Sequence, residues 1–511
     1  MGWLTDDACA IVTIMNRRLG FTVVEMVVVI ATLVIIAAIT VVSYGSWETR
    51  MIETQLKNDL TQASSAMEDA RTKDGTYPGA LPTGFATSDG VTVTVVRATG
   101  DHFCLEAESA NQPGNKWTAE NDTDAKAGGC PSLRFTAVDA GNAHTCAIAD
   151  SKAFCWGYEN YGQTGRGVTS TGGSGYARPV TATLLGSNVT DISAGGSFSC
   201  AVGSNKAYCW GLNSEGRLGN NTTTTSNVPV AVSQAVMTGA VDKISAGNST
   251  TCALSGGRPY CWGENFYSAL GLGHNTTPIL APTAVVLSSM SLPVSAISNG
   301  QYSSCALSLG RAHCWGVYLR FSGTGTWSAT TPTRVYPTAV DNSEMNGTVS
   351  AIATNSESNS SDNTTSCAAS GEEVYCWGKL DSFPYTYNTP SDLDVYFKPR
   401  LLPKGEMSGN ISKITLGSTY GCAIADGKAY CWGSGLGLGT GSTASKQLPT
   451  AVNTDLMKGK VTDISAGTSH TCAIADGEAY CWGTGANYRL GAGDTTSNAT
   501  VPVKVVPQPG L

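Results

Sequence analysis

Fourteen of the cysteines obey one rule. Each of Cys146, Cys200, Cys252, Cys305, Cys367, Cys422 and Cys472 is followed nine positions later by a partner: Cys155, Cys209, Cys261, Cys314, Cys376, Cys431 and Cys481. Such pairs can oxidise to a disulfide or ligate a soft metal. Metal ligation favours C-x-x-C or clustered histidines, and the chain has neither. Disulfide formation needs two Cβ atoms face to face, and the residues between them supply that. In Cys422-Ala-Ile-Ala-Asp-Gly-Lys-Ala-Tyr-Cys431 the Asp426-Gly427 pair is a strong two-residue hairpin turn. Counting outward, Ala425 faces Lys428, Ile424 faces Ala429, Ala423 faces Tyr430 and Cys422 faces Cys431. That last pair is non-hydrogen-bonded, with Cα atoms about 4.5 Å apart, at the near edge of disulfide geometry. Seven cross-strand disulfides are expected, one per copy; reduced thiols packed against neighbouring tryptophans are the alternative.

Other candidate chemistry is sparse. His144 and His470 occupy one repeat position, where other copies carry Phe198, Thr250, Ser303 and Tyr420. A position so tolerant of different chemistry is structural. No nucleophile–base pair or phosphate loop stands out, so neither an enzyme activity nor a cofactor is expected. The segment Lys379 to Arg400 is aromatic, with Phe383, Tyr385, Tyr387, Tyr396 and Phe397. It is a candidate carbohydrate or protein contact, or else the cover of an exposed edge.

These cysteines belong to a larger repeat, clearest in VTDISAGTSHTCAIADGEAYCWG (Val461 to Gly483). Each second cysteine precedes Trp-Gly, and the seven copies recur at intervals of 50 to 62 residues. Such a period means a propeller or a solenoid. The unit resembles the repeat of the regulator of chromosome condensation family, a seven-bladed β-propeller. The likeness covers residues 134 to 506 and rests on the V-x-x-I-S-A-G strand, the H-T-C-A-I strand, the Trp-Gly and a trailing turn. That turn reads Gly162-Gln163 in one copy, Arg217-Leu218-Gly219 and Arg489-Leu490-Gly491 in two others. The family's namesake activates a small GTPase, an activity the fold alone does not confer. Repeats two to seven are each preceded by a Pro-containing strand, such as Asn227-Val-Pro-Val-Ala-Val232. Repeat one has none before it, so Val501 to Val506 is expected to return and complete blade one.

What must carry this ring lies at the other end. Arg17 to Val42 reads RRLGFTVVEMVVVIATLVIIAAITVV, long enough from Phe21 to cross a hydrocarbon core as a helix. Arg17 and Arg18 keep its N-terminal end inside. Glu25 costs roughly 2.5–3.5 kcal/mol in such a span and calls for a partner. Gly20-Phe21-Thr22-Val23-Val24-Glu25 resembles the processing site of type IV pilins and pseudopilins. The resemblance implies that a prepilin peptidase cuts after Gly20 and methylates Phe21. It also implies that Glu25 pairs with a neighbouring subunit's N-terminal amine during assembly. Residues 1–20 would be the leader, shorter if Met15 is the start.

Beyond Val42, the residues Ile52, Leu56, Leu60, Ala63, Met67 and Ala70 recur every three or four positions and make one apolar stripe. Gly75 and Pro78 stop the helix. Residues 76–133 form a small domain, with Val91 to Val96 a half-buried strand and Phe103 to Leu105 in another. Cys104 and Cys130 are its only cysteines. Pairing them would add roughly 3 kcal/mol in the chain-entropy model, and the pilin resemblance supports that pairing.

The net charge of −8 argues against a nucleic-acid partner. Seventeen cysteines in an exported chain point to an oxidising compartment. The expected fold is an α+β pilin-like module (21–133) followed by an all-β propeller (134–511). The module comprises a transmembrane or filament-core helix (21–42), an amphipathic helix (43–75) and the disulfide-looped domain (76–133). The expected protein is an exported minor or tip pilin-like subunit whose propeller head serves adhesion or macromolecular binding. Its expected partners are other pilin subunits, the prepilin peptidase, the membrane and an unidentified surface, protein or carbohydrate ligand. It would sit in the cytoplasmic membrane before assembly and in a surface filament afterwards. The alternatives are a pseudopilin of a secretion or DNA-uptake system, or a membrane-tethered binding or inhibitor propeller that does not polymerise.

Overall fold

In a computed structural model the chain divides into two compact units, Met1–Cys130 and Pro131–Leu511. The described residues are 23–508 apart from 75–76, 79, 99–102, 121–124, 131–132, 182, 187, 318–332, 356–363, 380–394 and 494. Of these, residues 25, 33, 35–46, 74, 97, 120, 317, 333–334, 379 and 395–397 are described through their backbone alone.

The first unit is one long helix laid on a small sheet. Helix α1, Val23–Asp74, has 52 residues, a length of about 78 Å at 1.5 Å per residue. Arg71 and Lys73 stand in its last turn, where cations suit the negative end of the helix dipole. Ile52, Leu56, Leu60, Ala63 and Met67 are buried and pack on Val91, Val93, Phe103, Leu105, Ala107 and Ala119. Those residues come from an antiparallel sheet ordered β1 (Val91–Ala98), β2 (Phe103–Ser109), β3 (Gln112–Glu120) and β4 (Lys126–Ala127). Asp59 is buried on the helix, where its carboxylate accepts the Ser88 N–H at 2.8 Å and the Ser88 hydroxyl at 2.9 Å. A disulfide joins Cys104 to Cys130.

The N-terminal half of α1 does not meet this sheet. Val23, Val24, Met26 to Ile30 and Val34 are between 46% and 80% exposed. Among the described residues no helix is long and apolar enough to cross a membrane, so the expected span is not carried by them. Gly20 and Phe21 lie outside the described residues, and Glu25 enters only through its backbone.

The second unit is a ring of seven four-stranded antiparallel sheets, its blades. Their strands are named a to d from the centre outward. In blade two these are Val189–Ala194, Phe198–Gly203, Lys206–Gly211 and Ser226–Ala231. Strand b is buried at every residue in all seven blades, because neighbouring blades cover both its faces. Alanine, cysteine and small polar residues suit that position. Strand d is the outer edge and carries a proline in every blade, such as Pro229 or Pro502; a residue without an N–H discourages further strand pairing.

Ring closure differs from the expectation. Ala499–Lys504 is strand d of blade seven, pairing Gly483 with Ala499 and Cys481 with Val503. Blade one has its own outer strand, Ser170–Pro179, whose Ser-Thr-Gly-Gly-Ser-Gly start hides it in the sequence. The Pro-containing strand therefore follows its repeat instead of leading the next, and every blade is contiguous. The ring closes without a shared strand. At each joint an N–H at the start of strand a, or two residues before it in blade five, bonds to the b–c turn of the preceding blade. Examples are Val189 to Ser151 O at 2.9 Å and Val241 to Asn205 O at 3.0 Å. The seam repeats the bond, Phe135 to Gly477 O at 2.8 Å. The tail adds two bonds there, Ala177 N–H to Val506 O at 2.9 Å and Gln508 N–H to Ala177 O at 3.0 Å.

Candidate functional site

The a strands surround a central channel holding a cavity of about 310 Å³. Two positions of the V-x-x-I-S-A strand set its chemistry. The fifth clips each blade to the next through a hydroxyl that accepts a backbone N–H. Ser193 takes Ala246 at 2.9 Å, Ser245 takes Asn299 at 3.0 Å, Ser298 takes Thr354 at 3.0 Å and Thr415 takes Ala466 at 2.9 Å. Ser465 crosses the seam to Ala140 at 3.0 Å. Blade one uses Asp139 instead, which accepts the Ala194 N–H at 2.8 Å and hydroxyls of Ser193 at 2.8 Å and Ser465 at 2.6 Å. Blade five has Ala353 here and can make no such clip.

The third position brings Asp191, Lys243, Lys413 and Asp463 to the cavity wall beside Ala137 and Ala296. Lys413 pairs with Asp463 at 2.5 Å and Lys243 with Asp191 at 3.8 Å. Asp463 also accepts the Val138 N–H, and Asp191 that of Ile244, each at 2.8 Å. Burial pushes the Asp191 carboxyl up to about 6, against the opposing pull of Lys243. Burial likewise raises Asp139, opposed by its hydrogen bonds. For Lys413, burial works to lower the ammonium, but Asp463, Asp139 and Asp191 outweigh it and raise the group. These charges are spent on one another and on the neighbouring blades. The arrangement holds blades together. The sequence hides these residues because the third position varies from copy to copy; only its alternation of Asp, Lys and Ala signals a shared lumen.

His144 and His470 are buried at the start of strand b. The Ser199 hydroxyl donates to Gln163 O at 2.8 Å, so His144 Nε2, 2.8 Å from it, must carry the proton and donate. His470 Nε2 stands in the same relation to Thr145, whose hydroxyl donates to Arg489 O at 3.1 Å. Burial drives His144 down to about 3 and His470 well below the usual range. A neutral imidazole that donates to a hydroxyl is the reverse of a general base. Both are inter-blade struts, like Tyr420, which donates to His470 O at 2.7 Å.

Five of the seven tryptophans of the Cys-Trp-Gly motif, Trp156, Trp210, Trp262, Trp315 and Trp482, have the same kind of role, whereas Trp377 and Trp432 show no such bond. Trp210 donates to Gln163 O, Trp262 to Arg217 O, Trp482 to Gly437 O and Trp156, across the seam, to Arg489 O, at 2.8–3.0 Å. The carbonyls belong to the trailing turns of the preceding blades. All seven cysteine pairs are bonded, Cys146–Cys155 through Cys472–Cys481. Of the aromatic segment, Phe383, Tyr385 and Tyr387 lie outside the described residues. Tyr396 and Phe397 stand on strand d of blade five, Val395–Leu402, described through its backbone. Among the described residues no group of three or more His, Cys, Asp or Glu side chains could hold a metal ion.

A closed ring of seven four-stranded blades, clipped through hydroxyls and tryptophans, defines a seven-bladed β-propeller with stapled hairpins. Through it the chain belongs to the regulator of chromosome condensation (RCC1) repeat family. The repeat is matched over residues 150–202, 204–254, 256–307, 426–474 and 476–510, and a second form of it over 135–163 and 189–217. The human E3 ubiquitin-protein ligase HERC2 is 26% identical over 338 residues, 63% of this chain and 6% of that protein. The ultraviolet-B receptor UVR8 of Arabidopsis thaliana is 28% identical over 194 residues, 37% of this chain and 43% of its own. The chain thus spans less than half the length of these curated relatives. Among solved structures, human WBSCR16 superposes with a TM-score of 0.56 at 20% identity, covering 69% of this chain and 88% of that one. Prp20p from Saccharomyces cerevisiae does so with a TM-score of 0.56 at 19% identity, covering 73% and 87%. At these identities the likeness is one of fold.

Proposed function

We propose that this chain is a non-enzymatic binding protein whose propeller recognises other proteins, tethered at a membrane or cell surface by the helix that precedes it. The observation that carries this is the RCC1-type ring itself, whose buried histidines and lumen charges are all engaged in holding blades. Yeast Prp20 is solved bound to Kap60, and Prp20p is described with its binding to Gsp1p and histones; protein binding is what this reading takes from them. The stapled hairpins suit an oxidising compartment. The test is cross-linking on intact cells. A photo-reactive group on the propeller should give a discrete protein adduct, absent when the propeller is removed from the tether. Labelling without any discrete partner would overturn the reading.

The first unit favours a second, finer reading, that of a type IV pilin-like subunit. What supports it is a helix over 50 residues long lying on a four-stranded antiparallel sheet, together with the sequence Gly20-Phe21-Thr22-Val23-Val24-Glu25. A head of this size has a radius of gyration near 21 Å, while packed helices stand about 8–10 Å apart. Such heads would crowd on every subunit, which points to a minor or tip position. Intact mass and N-terminal sequencing of sheared surface material test this. The expected chain begins at methylated Phe21 and lacks sixteen hydrogens, two for each of eight disulfides. An uncleaved chain confined to membranes, with its location unmoved by Glu25→Ala, would reduce it to a tethered binder.

A further inference from the structure

The b–c turns and the d–a connectors share one face of the propeller, and its charge is unevenly spread. Immediately after the turn carbonyl that clamps the next blade stand Lys152, Lys206, Arg258 and Arg311 in blades one to four. Glu372, Lys428 and Glu478 hold that place in blades five to seven. The four consecutive cations sit on backbone fixed by the clamp, and among the described residues none makes an ion pair. The connector at the blade-four turn, residues 340–348, carries Asp341 and Glu344, which pair with Lys398 and Arg400; the other three connectors beside the cations, residues 180–188, 232–240 and 285–293, contain no charged residue. They expose aliphatic side chains instead: Leu184 is 57% exposed, Val236 47% and Leu292 44%. Leu309, in the turn of blade four, is 66% exposed and holds a left-handed backbone at φ 49°, a strained state for leucine. On the other arc the acids are partly engaged: Glu372 pairs with Lys404, Glu478 with Lys504, and Glu373 accepts the Tyr375 hydroxyl.

We infer that this arc of blades one to four, with Lys152, Lys206, Arg258 and Arg311 interleaved by Leu184, Val236, Leu292 and Leu309, is the docking surface for an acidic protein segment bearing aliphatic side chains. The assignment rests on the protein-binding reading above. Unpaired cations on rigid backbone set the sign of the partner. The aliphatics set its class, since sugars and nucleic acid bases are met by aromatic platforms, and the described residues of these turns and connectors include none. A second copy of the chain is a weaker fit, because Glu372 and Glu478 of its other arc already pair with its own Lys404 and Lys504.

The test uses the full-length chain in mild detergent and a fluorescein-labelled peptide of four Asp-Leu-Glu-Val repeats, read by anisotropy at ~0.15 M salt. Saturable binding is expected. Arg258→Glu with Arg311→Glu should weaken it by about tenfold or more. Leu184→Ser with Leu309→Ser should do likewise, while Lys428→Glu with Lys460→Glu on the other arc leaves it unchanged. Near-ultraviolet circular dichroism and Tm confirm that the variants keep the ring. No saturable binding by the unmodified chain would overturn the assignment. So would loss through the cations alone with heparin or duplex DNA competing equally, or a dimer abolished by the same variants. If the cell-surface adduct persists in the arc variants, recognition by the propeller stands and this surface falls; if no adduct forms at all, the broader reading falls first.

Discussion

Gly219 shows how much a single residue of the repeat carries. Its backbone is left-handed at φ 65°, and a Cβ there would lie 2.5 Å from the indole nitrogen of Trp262 in the next blade. Gly219→Ala is expected to cost about 2–4 kcal/mol, from the left-handed backbone plus overpacking, read as a fall in the denaturation midpoint. Asp191 acts through charge. Its folded carboxyl titrates at about 6 against an ordinary 3.8, so the fold holds the proton more tightly than the unfolded chain. That contribution favours folding below about pH 4 and is lost as pH rises through about 6. Asp191→Asn keeps an acceptor for Ile244 N–H and removes the charge. It should be neutral at pH 4 and stabilise by about 1–3 kcal/mol at pH 7; an equal effect at both pH values would count against this account. The Trp-Gly and Arg-Leu-Gly motifs were legible in the sequence, but not their bond, because the partner carbonyl lies a whole blade away.

At the scale of the element, the b–c hairpin is where spacing alone sufficed. Asp426 and Gly427 adopt φ of 46° and 77°, the two positive values that a tight hairpin turn demands, and register then sets Cys422 opposite Cys431. Replacing both by alanine should cost about 2–3 kcal/mol in the chain-entropy model, measured against the parent under non-reducing denaturation. The outer strand was harder to place. A Pro-containing strand between two repeats can belong to either, and only the pairing of Cys209 with Val230 assigns it to the repeat before. In the first unit, β3 was not among the expected strands: Pro113, Gly114 and Asn115 interrupt any alternation there, while Ala119 packs in the core with α1. The apolar stripe of α1 was read from its spacing, since a helix face requires no distant partner to be recognised.

For the whole molecule the joint between blades seven and one decides the behaviour. It carries the full set of clamp, hydroxyl and tryptophan bonds, which the joint between blades five and six lacks in part, with the short tail contact of Val506 and Gln508 added. A circular permutant of the second unit, cut in the d–a connector between blades three and four and joined across residues 508 and 134, should therefore melt within a few degrees of the parent arrangement. Collapse of the permutant to a molten state would show that the seam carries more than these bonds. The same feature reaches into heredity. With the four strands of every blade contiguous in sequence and only a short tail contact added at the seam, an in-frame duplication or loss of one internal repeat adds or removes a complete sector and spoils no other. The number of recognition residues around the rim, and the width of the opening at its centre, are then open to change by ordinary unequal crossing-over in the gene.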